Sequence, residues 1–574
     1  MLKVSFFDEG EKYVYGLEDV KFRTIDEIEL SCGKNDRAAF GLLLENTDDM
    51  LICVDGNNAF APIGRAPVYR VEFVLNNIPT EVRLVGTVTD DDGAEKADIL
   101  LNDSYIFAER GKGQQVWLEC RTDRNTDEKD VLGCVRIYSH EMFESERLCI
   151  EKQVKLHIYN YVMKDPVDYR LHLDLWQHNS NIARKHEVKL WSGEHFKIIE
   201  EYIKTLAELG QKSITAIVSE IPWSGQRAYK IPLYKSDFYE YSMVKVKKEK
   251  AKYTYDFSIL KKYIELCFKY GIDREIEVFG LIGIWTDYEN GFMLGIKGYP
   301  DDIRIRYYDA ETGEYCYFTE TGQIEDYILH LRAFFNENGY TDIVRIIADE
   351  PEDTERYAKT IAELKRLAPE FKLKAAINHF EFAEKFGDSI TDIVPAFCYA
   401  CEKHKMLTEW KKRTGGKLLS YVCCQPEIPN TFVSSSAAEC RIIGIMSRYL
   451  NFDGILRWSY TAWPQKPRER LSFKYPLWKA GDSNFVYPGN NAKPLKSLRW
   501  KYLKRAVEDY ELLEEYSKRF GENKMKELCK CVIKTDSAED FNIYSSKKGA
   551  AELFSTDYSD YVKLRNHILS ELEK

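Results

Sequence analysis

The sequence Val344-Arg345-Ile346-Ile347-Ala348-Asp349-Glu350-Pro351 joins a short apolar run to two acids and a proline, and a helical pattern follows near 353–367. An apolar run of this length predicts a buried strand, and the proline stops that strand while biasing Glu350 towards an extended backbone. The amphipathic stretch that comes next predicts a helix packed on the strand. The repeating unit is therefore a strand followed by a helix, from which parallel sheets are built.

The same alternation of strands and helices runs on both sides of this unit. Eight apolar runs are predicted as strands: Leu171–Trp176, Ser213–Glu220, Glu275–Trp285, Ile343–Ala348, Lys372–Ile377, Ile393–Tyr399, Lys417–Cys424 and Gly454–Tyr460. Helices are predicted between them near 195–209, 256–270, 323–338, 353–367, 402–413 and 435–450. Eight strands with intervening helices predict a closed (β/α)8, TIM-like barrel.

Three regions of the chain differ in pattern and predict a multidomain α/β protein. Residues 1–166 carry short alternating runs and turn clusters, which predict an N-terminal β-sandwich. Residues 167–480 carry the barrel pattern, interrupted at 224–254 and 287–320 by insertions that we expect to shape its active face. Residues 481–574, with a helix near 497–518, predict a C-terminal helical extension packed on the barrel.

Charge and composition exclude several classes of protein. The 82 Lys and Arg against 93 Asp and Glu give a formal net charge of -11 without a basic stripe, so no nucleic-acid partner is expected. The N-terminus lacks a secretory signal pattern, and no segment reaches the roughly 18 apolar residues of a membrane span. A cytoplasmic protein without a transmembrane segment is expected, although a chain trimmed before residue 1 would look the same.

The cysteines do not predict a metal or redox centre. The 14 Cys are scattered among apolar positions, where a free thiol behaves as a small buried hydrophobic group. Cys398-x-x-Cys401, Cys423-Cys424 and Cys529-x-Cys531 lack the paired loops of a zinc site and the strand-to-helix setting of a redox motif. Reduced structural thiols, no metal and no cofactor are expected.

The carboxyl ends of barrel strands are where reacting groups lie. Nine residues at these positions are candidates for substrate binding: His178, Trp223, Trp285, Asn378, His379, Tyr399, Tyr421, Trp458 and Trp463. Indole rings suit the apolar face of a sugar, and His and Asn suit its hydroxyls. Any one Trp fits interior packing equally well and any one His a structural role, so these candidates rest on their shared position.

Asp349 and Glu350 end a strand that should be buried, where two acids are costly without a purpose. One of them would have a structural purpose if it capped the helix that begins near Asp353. Glycoside cleavage generally needs one acid to protonate the leaving oxygen and a second group at the anomeric centre. Adjacent residues, with Cα atoms about 3.8 Å apart, are poorly placed to flank a sugar. The pair better suits a substrate whose own 2-acetamido oxygen attacks, with Glu350 as the acid and Asp349 orienting the acetamide.

An ordered set of motifs resembles glycoside hydrolase family 123 and spans essentially the whole chain. The motifs are Ile346 to Pro351, the aromatic segment Trp458 to Trp463, the segment Gly481 to Gly489 (GDSNFVYPG), and Val507-Glu508-Asp509-Tyr510-Glu511. The resemblance implies a retaining exo-β-N-acetylgalactosaminidase with an N-terminal β-sandwich and a (β/α)8 barrel. It implies Asp349 as the acetamide-positioning residue and Glu350 as the general acid/base. The implied substrate is a terminal β-linked N-acetylgalactosamine (GalNAc) of an oligosaccharide or glycosphingolipid.

Two other functions stay open at this stage. A glycosidase of the same architecture could pair Glu350 with a more distant carboxylate, Glu220 or Asp287, on a sugar without an acetamide. A carbohydrate-binding protein derived from such an enzyme would lack an acid, and none is missing here. The sequence does not choose between Tyr399 and Tyr421 for the acetamide oxygen, and it leaves the oligomeric state open.

Overall fold

Two six-stranded sheets form the N-terminal part of the computed structural model, which describes residues 2–15, 23–55, 67–141, 144–222, 239–282, 295–472 and 478–574. Their strands are β1 (Lys3–Asp8), β2 (Val14–Tyr15), β3 (Ile28–Lys34), β4 (Arg37–Glu45), β5 (Met50–Cys53), β6 (Val68–Leu75), β7 (Thr80–Thr89), β8 (Glu95–Leu100), β9 (Tyr105–Ala108), β10 (Gln114–Arg121), β11 (Asp130–His140) and β12 (Arg147–Val162). The strand orders are β1-β4-β10-β7-β8-β2 and β3-β12-β11-β6-β5-β9.

The two sheets share an apolar core because their strands alternate between buried and exposed residues. In β6, Val71 and Phe73 are buried while Glu72 between them is partly exposed. The ring of Phe73 meets that of Phe40 from β4 edge to face at 5.3 Å, which joins the two sheets. Strands β6 and β10 are two of the short alternating runs from which the β-sandwich was predicted.

Parallel strands and two hairpins form the middle of the chain. The strands are β13 (His172–Leu175), β14 (Ser213–Ile217), β15 (Ile221–Pro222), β16 (Tyr239–Glu240), β17 (Lys245–Glu249), β18 (Lys252–Asp256), β19 (Glu275–Phe279), β20 (Arg306–Asp309), β21 (Glu314–Tyr317), β22 (Val344–Asp349), β23 (Lys372–Ile377), β24 (Asp392–Pro395), β25 (Leu419–Tyr421) and β26 (Gly454–Arg457). Each of the eight runs predicted as barrel strands overlaps one parallel strand.

The parallel strands belong to two sheets. One has the order β14-β19-β22-β23-β24 and the other β13-β26-β25. Isolated parallel bridges connect the sheets at both edges: Leu173 to Gln211 on one side, and Ile393 to Leu418 and Ala396 to Tyr421 on the other. The carboxyl ends of all eight strands therefore point to one side of the molecule.

Helices follow the parallel strands. They are α1 (Asn179–Lys185), α2 (Gly193–Leu209), α3 (Ser258–Lys269), α4 (Thr321–Glu337), α5 (Thr354–Leu367), α6 (Phe380–Phe386), α7 (Phe397–Glu402), α8 (His404–Thr414) and α9 (Ala437–Tyr449). The predicted strand Ile393–Tyr399 was wrong at its end, because β24 stops at Pro395 and α7 begins at Phe397. A short apolar run fits a buried strand and a buried helical turn equally well.

The two insertions form a sheet of their own. The described parts of both insertions contribute strands to a four-stranded sheet with the order β18-β17-β20-β21. The hairpin β20–β21 belongs to the insertion predicted at 287–320, and its strand β20 pairs in parallel with β17 of the other insertion. Two segments more than 50 residues apart in the sequence thus build one wall beside the parallel strands.

The C-terminal part is mainly helical. Its elements are β27 (Val486–Pro488), β28 (Pro494–Lys496), α10 (Leu498–Phe520), α11 (Glu522–Cys529), α12 (Ile543–Ser546), α13 (Ala550–Leu553) and α14 (Tyr558–Leu572). Buried ion pairs connect α10 to the N-terminal sheets: Arg499 lies 2.9 Å from Asp98 and Lys501 lies 2.5 Å from Glu119. Within the described ranges no helix is long and apolar enough to span a bilayer.

Candidate active site

Asp349 and Glu350 lie where β22 ends. Asp349 is buried and is the last residue of the strand, opposite Ala376 of β23. The Glu350 N–H donates to the Ala376 carbonyl at 2.9 Å, but Glu350 itself has φ 47°, in the left-handed region. The extended backbone predicted for Glu350 was therefore wrong. Non-glycine residues in that region are strained, and such strain persists where surrounding contacts hold the residue in place.

The helix-cap explanation for the acid pair does not hold. The N-cap of α5 is Asp353, whose carboxylate accepts hydrogen bonds from the Glu355 N–H at 3.1 Å and the Arg356 N–H at 3.0 Å. Neither Asp349 nor Glu350 supplies that cap. Helix capping therefore does not explain why the two acids lie at a strand end.

Tyr421, at the end of β25, contacts the acid pair. Its phenol donates a hydrogen bond to Oε1 of Glu350. Burial raises the pKa of Tyr421 well above its usual range, and the negative charges of Glu350 and Asp349 add to that rise. Because both carboxylates act on one hydroxyl, the two acids and the phenol belong to a single cluster.

Burial raises the pKa of Glu350 above the ordinary value of a glutamic acid. The hydrogen bonds from Tyr421 and Asn378 and the charge of His379 oppose this rise, while Glu352 adds to it. A carboxyl group with a raised pKa keeps its proton at higher pH and can act as a general acid. Asn378 and His379 directly follow β23, the strand next to β22, which accounts for their influence on Glu350.

A third carboxylate, Asp482, lies near this cluster and was not a candidate from sequence. It is fully buried, and its Oδ1 accepts hydrogen bonds from Arg457 at 3.0 Å and from the indole N–H of Trp458 at 3.1 Å. Burial raises the pKa of Asp482, and the charge of Glu350 contributes to the rise. In the sequence, Asp482 was marked only by its place in the segment Gly481 to Gly489 (GDSNFVYPG).

Trp458 is the predicted tryptophan that the described part of the chain connects to this cluster, through Asp482. It follows β26, and its ring centroid lies 5.5 Å from that of Trp478. The ring of His178 meets Trp458 edge to face at 6.3 Å. Burial lowers the pKa of His178 to about 3, so its imidazole is neutral. Trp478 was not predicted, because it follows a stretch without strand or helix pattern.

The remaining candidates lie elsewhere or outside the described residues. Trp463 is fully buried, and its indole N–H donates to the Val486 carbonyl at 2.7 Å, so it packs in the interior. Tyr399 lies on α7 and is partly exposed. Trp223, Trp285 and Asp287 lie outside the described residues.

Three buried acids inside the parallel sheets have the spacing of a metal site. Ligand oxygens of Asp174, Glu275 and Glu277 lie within 4.8 Å of one another. Lys374 Nζ lies 2.6 Å from an oxygen of each acid, so an ammonium group stands where a cation would be held. Burial raises the pKa of Glu277 well above its usual range, and Asp174 adds to this rise, which indicates a protonated Glu277. Lys417 also lies 2.6 Å from Glu275. The negative charges of the acids are therefore balanced by the two lysines.

Two acids at the end of a parallel strand, a raised glutamic acid pKa and a tryptophan pair near them are typical of a sugar-cleaving enzyme, a glycoside hydrolase. The model of the glycoside hydrolase 123 catalytic domain matches residues 176–516. The match covers more than half of the chain, which therefore belongs to glycoside hydrolase family 123.

Solved structures resemble this fold to different degrees. A family 123 glycoside hydrolase from Clostridium perfringens, described in a study of glycolipid glycan hydrolysis, has 18% identity and a TM-score of 0.75 over 100% of this chain and 98% of that chain. A putative glycoside hydrolase from Bacteroides vulgatus has 10% identity and a TM-score of 0.33 over 86% of this chain and 79% of its own. The second similarity is too weak to bear on the fold. No curated protein sequence matches the chain.

Proposed function

We propose that the protein is a retaining exo-β-N-acetylgalactosaminidase that removes terminal β-linked GalNAc by substrate-assisted catalysis. The observation that carries this proposal is the adjacency of Asp349 and Glu350 beside one phenol, Tyr421. Two carboxylates that flank a sugar in retaining enzymes stand about 5–5.5 Å apart on opposite faces of the bond. Adjacent acids on one strand end suit a substrate that provides its own nucleophile.

In the first step, the acetamide oxygen of the substrate attacks the anomeric carbon while Glu350 gives its proton to the leaving oxygen. The glycosidic bond breaks, the leaving oxygen keeps the proton from Glu350, and a cyclic oxazolinium ion forms on the sugar. Asp349 accepts a hydrogen bond from the acetamide N–H and stabilises the positive charge that develops there. The raised pKa of Glu350 supports its role as the proton donor.

In the second step, water attacks the anomeric carbon and gives a proton to the Glu350 carboxylate. The oxazolinium ring opens and restores the acetamide, and the two inversions together retain the β configuration. Glu350 thus acts as the acid in the first step and as the base in the second.

Tyr421 is our choice for the residue that polarises the acetamide oxygen. Its phenol donates to Glu350 in the free protein and can turn to the acetamide oxygen when the substrate binds, whereas Tyr399 lies on α7 beyond the end of β24. Trp458, Asn378 and His379 complete the sugar pocket in this proposal. We assign His178 and Trp463 to its support because both are fully buried.

We further infer that the two parallel sheets close into one (β/α)8 barrel at 167–480, with an N-terminal β-sandwich at 1–166 and a helical extension at 481–574. The bridges Leu173 to Gln211 and Ile393 to Leu418 support the closure, since they connect the sheets at both edges. The work on glycolipid glycan hydrolysis by the Clostridium perfringens relative supports glycosphingolipid glycans as one source of the substrate.

Hydrolysis of a chromogenic β-N-acetylgalactosaminide tests the proposal. Glu350→Gln and Asp349→Asn should each lower kcat about 10²- to 10⁴-fold, and Glu355→Gln, on the exposed face of α5, serves as the control. A thiazoline mimic of the oxazoline should inhibit competitively.

Equal hydrolysis by the wild type and Glu350→Gln would exclude this function, and azide rescue at another carboxylate would favour a glycosidase that does not use the acetamide. Glu220 is a weak candidate for that carboxylate, because Arg306 and two phenols already engage it.

A further inference from the structure

We propose that a second cleft, built by the two insertions, binds neutral sugar residues of the glycan beyond the terminal GalNAc. This inference rests on the proposed function of the acid pair. The cleft has a volume of about 520 Å³ and is lined by Trp191, Glu220, Tyr241, Arg306, Tyr308 and Tyr315 among others. Pockets of roughly 300–1,000 Å³ are the size that small ligands occupy.

The cleft lies on the same side of the molecule as Asp349 and Glu350. Glu220 follows β14, and Met243 beside the cleft donates its N–H to the Ile217 carbonyl at the end of that strand. Strands β14, β19 and β22 are parallel neighbours, so their carboxyl ends share one edge. Glu350 and the cleft therefore lie at the same edge of the sheet, at the ends of strands separated by β19.

A buried carboxylate and a guanidinium form the polar centre of the cleft. Glu220 is 3% exposed and accepts hydrogen bonds from the phenols of Tyr239 at 2.5 Å and Tyr317 at 2.7 Å. Arg306 Nε lies 2.7 Å from the other oxygen of Glu220, which fixes the guanidinium plane. The remaining N–H groups of Arg306 are partly exposed and suit the hydroxyls of a sugar.

Aromatic faces stand beside this polar centre. The Arg306 guanidinium lies over the rings of Tyr241 at 5.1 Å and Tyr315 at 4.9 Å. Tyr315 is 67% exposed and Tyr308 is 37% exposed, and their centroids lie 5.4 Å apart. Exposed adjacent rings next to fixed polar groups match a pyranose, which has an apolar face and a rim of hydroxyls.

Trp191 reaches the cleft from a strained backbone. Its φ of 60° lies in the left-handed region, which bulky side chains rarely adopt. The Trp191 N–H donates to Nδ1 of His195 at 3.0 Å, and Nε2 of His195 lies 3.0 Å from the Asn179 carbonyl. Burial lowers the pKa of His195 to about 4, so the imidazole is neutral and can accept that hydrogen bond. Strain held by a dedicated contact is typical of binding sites.

The charges of the cleft favour a neutral ligand. Arg306 is neutralised by Glu220, and Lys247 lies against Glu249. Lys245 and Asp256, which also line the cleft, have opposite charges. A polyanion would need an excess of basic groups, which the cleft does not provide.

The test compares two substrates of the full-length protein, a chromogenic β-N-acetylgalactosaminide and a neutral tetrasaccharide ending in β-GalNAc. In Tyr315→Ala, the ratio of kcat/KM for the tetrasaccharide to kcat/KM for the monosaccharide glycoside should fall about tenfold, mainly through KM. Tyr105→Ala is the matched control, since Tyr105 is an exposed strand tyrosine of the N-terminal sheet. An unchanged ratio in Tyr315→Ala would overturn the inference.

Calorimetry separates failure of the cleft from failure of the proposed function. The neutral tetrasaccharide is titrated into Glu350→Gln and into the double variant Glu350→Gln, Tyr315→Ala. Binding that weakens about tenfold in the double variant supports the cleft even if the wild type hydrolyses neither substrate. Equal binding by the two proteins overturns it. Absent hydrolysis by the wild type counts against the GalNAc assignment alone.

Discussion

The phenol of Tyr421 donates a hydrogen bond to the carboxylate of Glu350, across the ends of strands that are not neighbours. Tyr421 ends β25 and Glu350 follows β22, with β23 and β24 between them in chain order. This contact spans the two parallel sheets at their carboxyl edge. It also opposes the effect of burial on the pKa of Glu350.

Loss of this hydrogen bond should change both rate and pH dependence. In Tyr421→Phe the Glu350 carboxylate of the free enzyme loses a donor, so the pKa of Glu350 rises further and the alkaline limb of the kcat/KM profile moves to higher pH. Removal of the donor to the acetamide oxygen should lower kcat about 10²-fold. Steady-state kinetics across pH measure both effects. Tyr399→Phe is the matched comparison, and a larger kcat loss there would reassign the acetamide contact to Tyr399.

Substitution of Asp482 should move the same limb in the opposite direction. Asp482→Asn removes a negative charge near Glu350, so the pKa of Glu350 falls and the alkaline limb moves to lower pH. The amide keeps an acceptor for Trp458 but weakens its pairing with Arg457, so unfolding should become easier by about 1–3 kcal/mol. We expect KM to rise, because Asp482 holds Trp458 in place.

Asp392→Asn is the control for this prediction. Asp392 is a buried aspartate paired with Arg345 at 2.5 Å, and it lies at the amino end of β24, away from the carboxyl edge. This variant should lose stability without any movement of the pH limb. An equal shift of the limb in both variants would mean that Asp482 has no specific influence on Glu350.

The buried acids around Lys374 allow a prediction about stability. Burial raises the pKa of Glu277, so this group favours folding at low pH, and its contribution is lost as pH rises from about 4.5 through the folded pKa. Glu277→Gln imitates the protonated acid, so the variant should gain stability relative to the wild type as pH increases. Urea unfolding at pH 5 and pH 8 measures the difference.

Glu275→Gln provides the contrast. Although burial acts to raise it, Lys374 and His172 hold the pKa of Glu275 well below its usual range, so Glu275 is ionised. Removal of this charge leaves Lys374 and Lys417 poorly paired and should cost about 3–5 kcal/mol. If Glu277→Gln is destabilised to the same extent at pH 8, then Glu277 is ionised in the folded protein.

Local pattern sufficed for the parallel strands, for six of the nine described helices that follow them and for the central acids. Each predicted strand run overlaps a parallel strand, and the helix predicted near 353–367 is α5 at Thr354–Leu367, whereas α1, α6 and α7 were not predicted. Asp349 and Glu350 follow an apolar run, and a run of that kind identifies a strand end without any knowledge of the neighbours. The prediction was weaker where a short apolar run fits two structures, as at Phe397 in α7.

By itself the sequence determined the order of strands and helices and the place of the acid pair, because side-chain periodicity along the chain encodes which faces are buried. Only the tertiary structure decided that Glu350 leaves the extended region, that Asp482 reaches Trp458 and that Trp463 is packed in the interior. It also decided that two insertions form one sheet with a cleft. These features depend on contacts between residues far apart in sequence, and local periodicity carries no information about which distant segments meet.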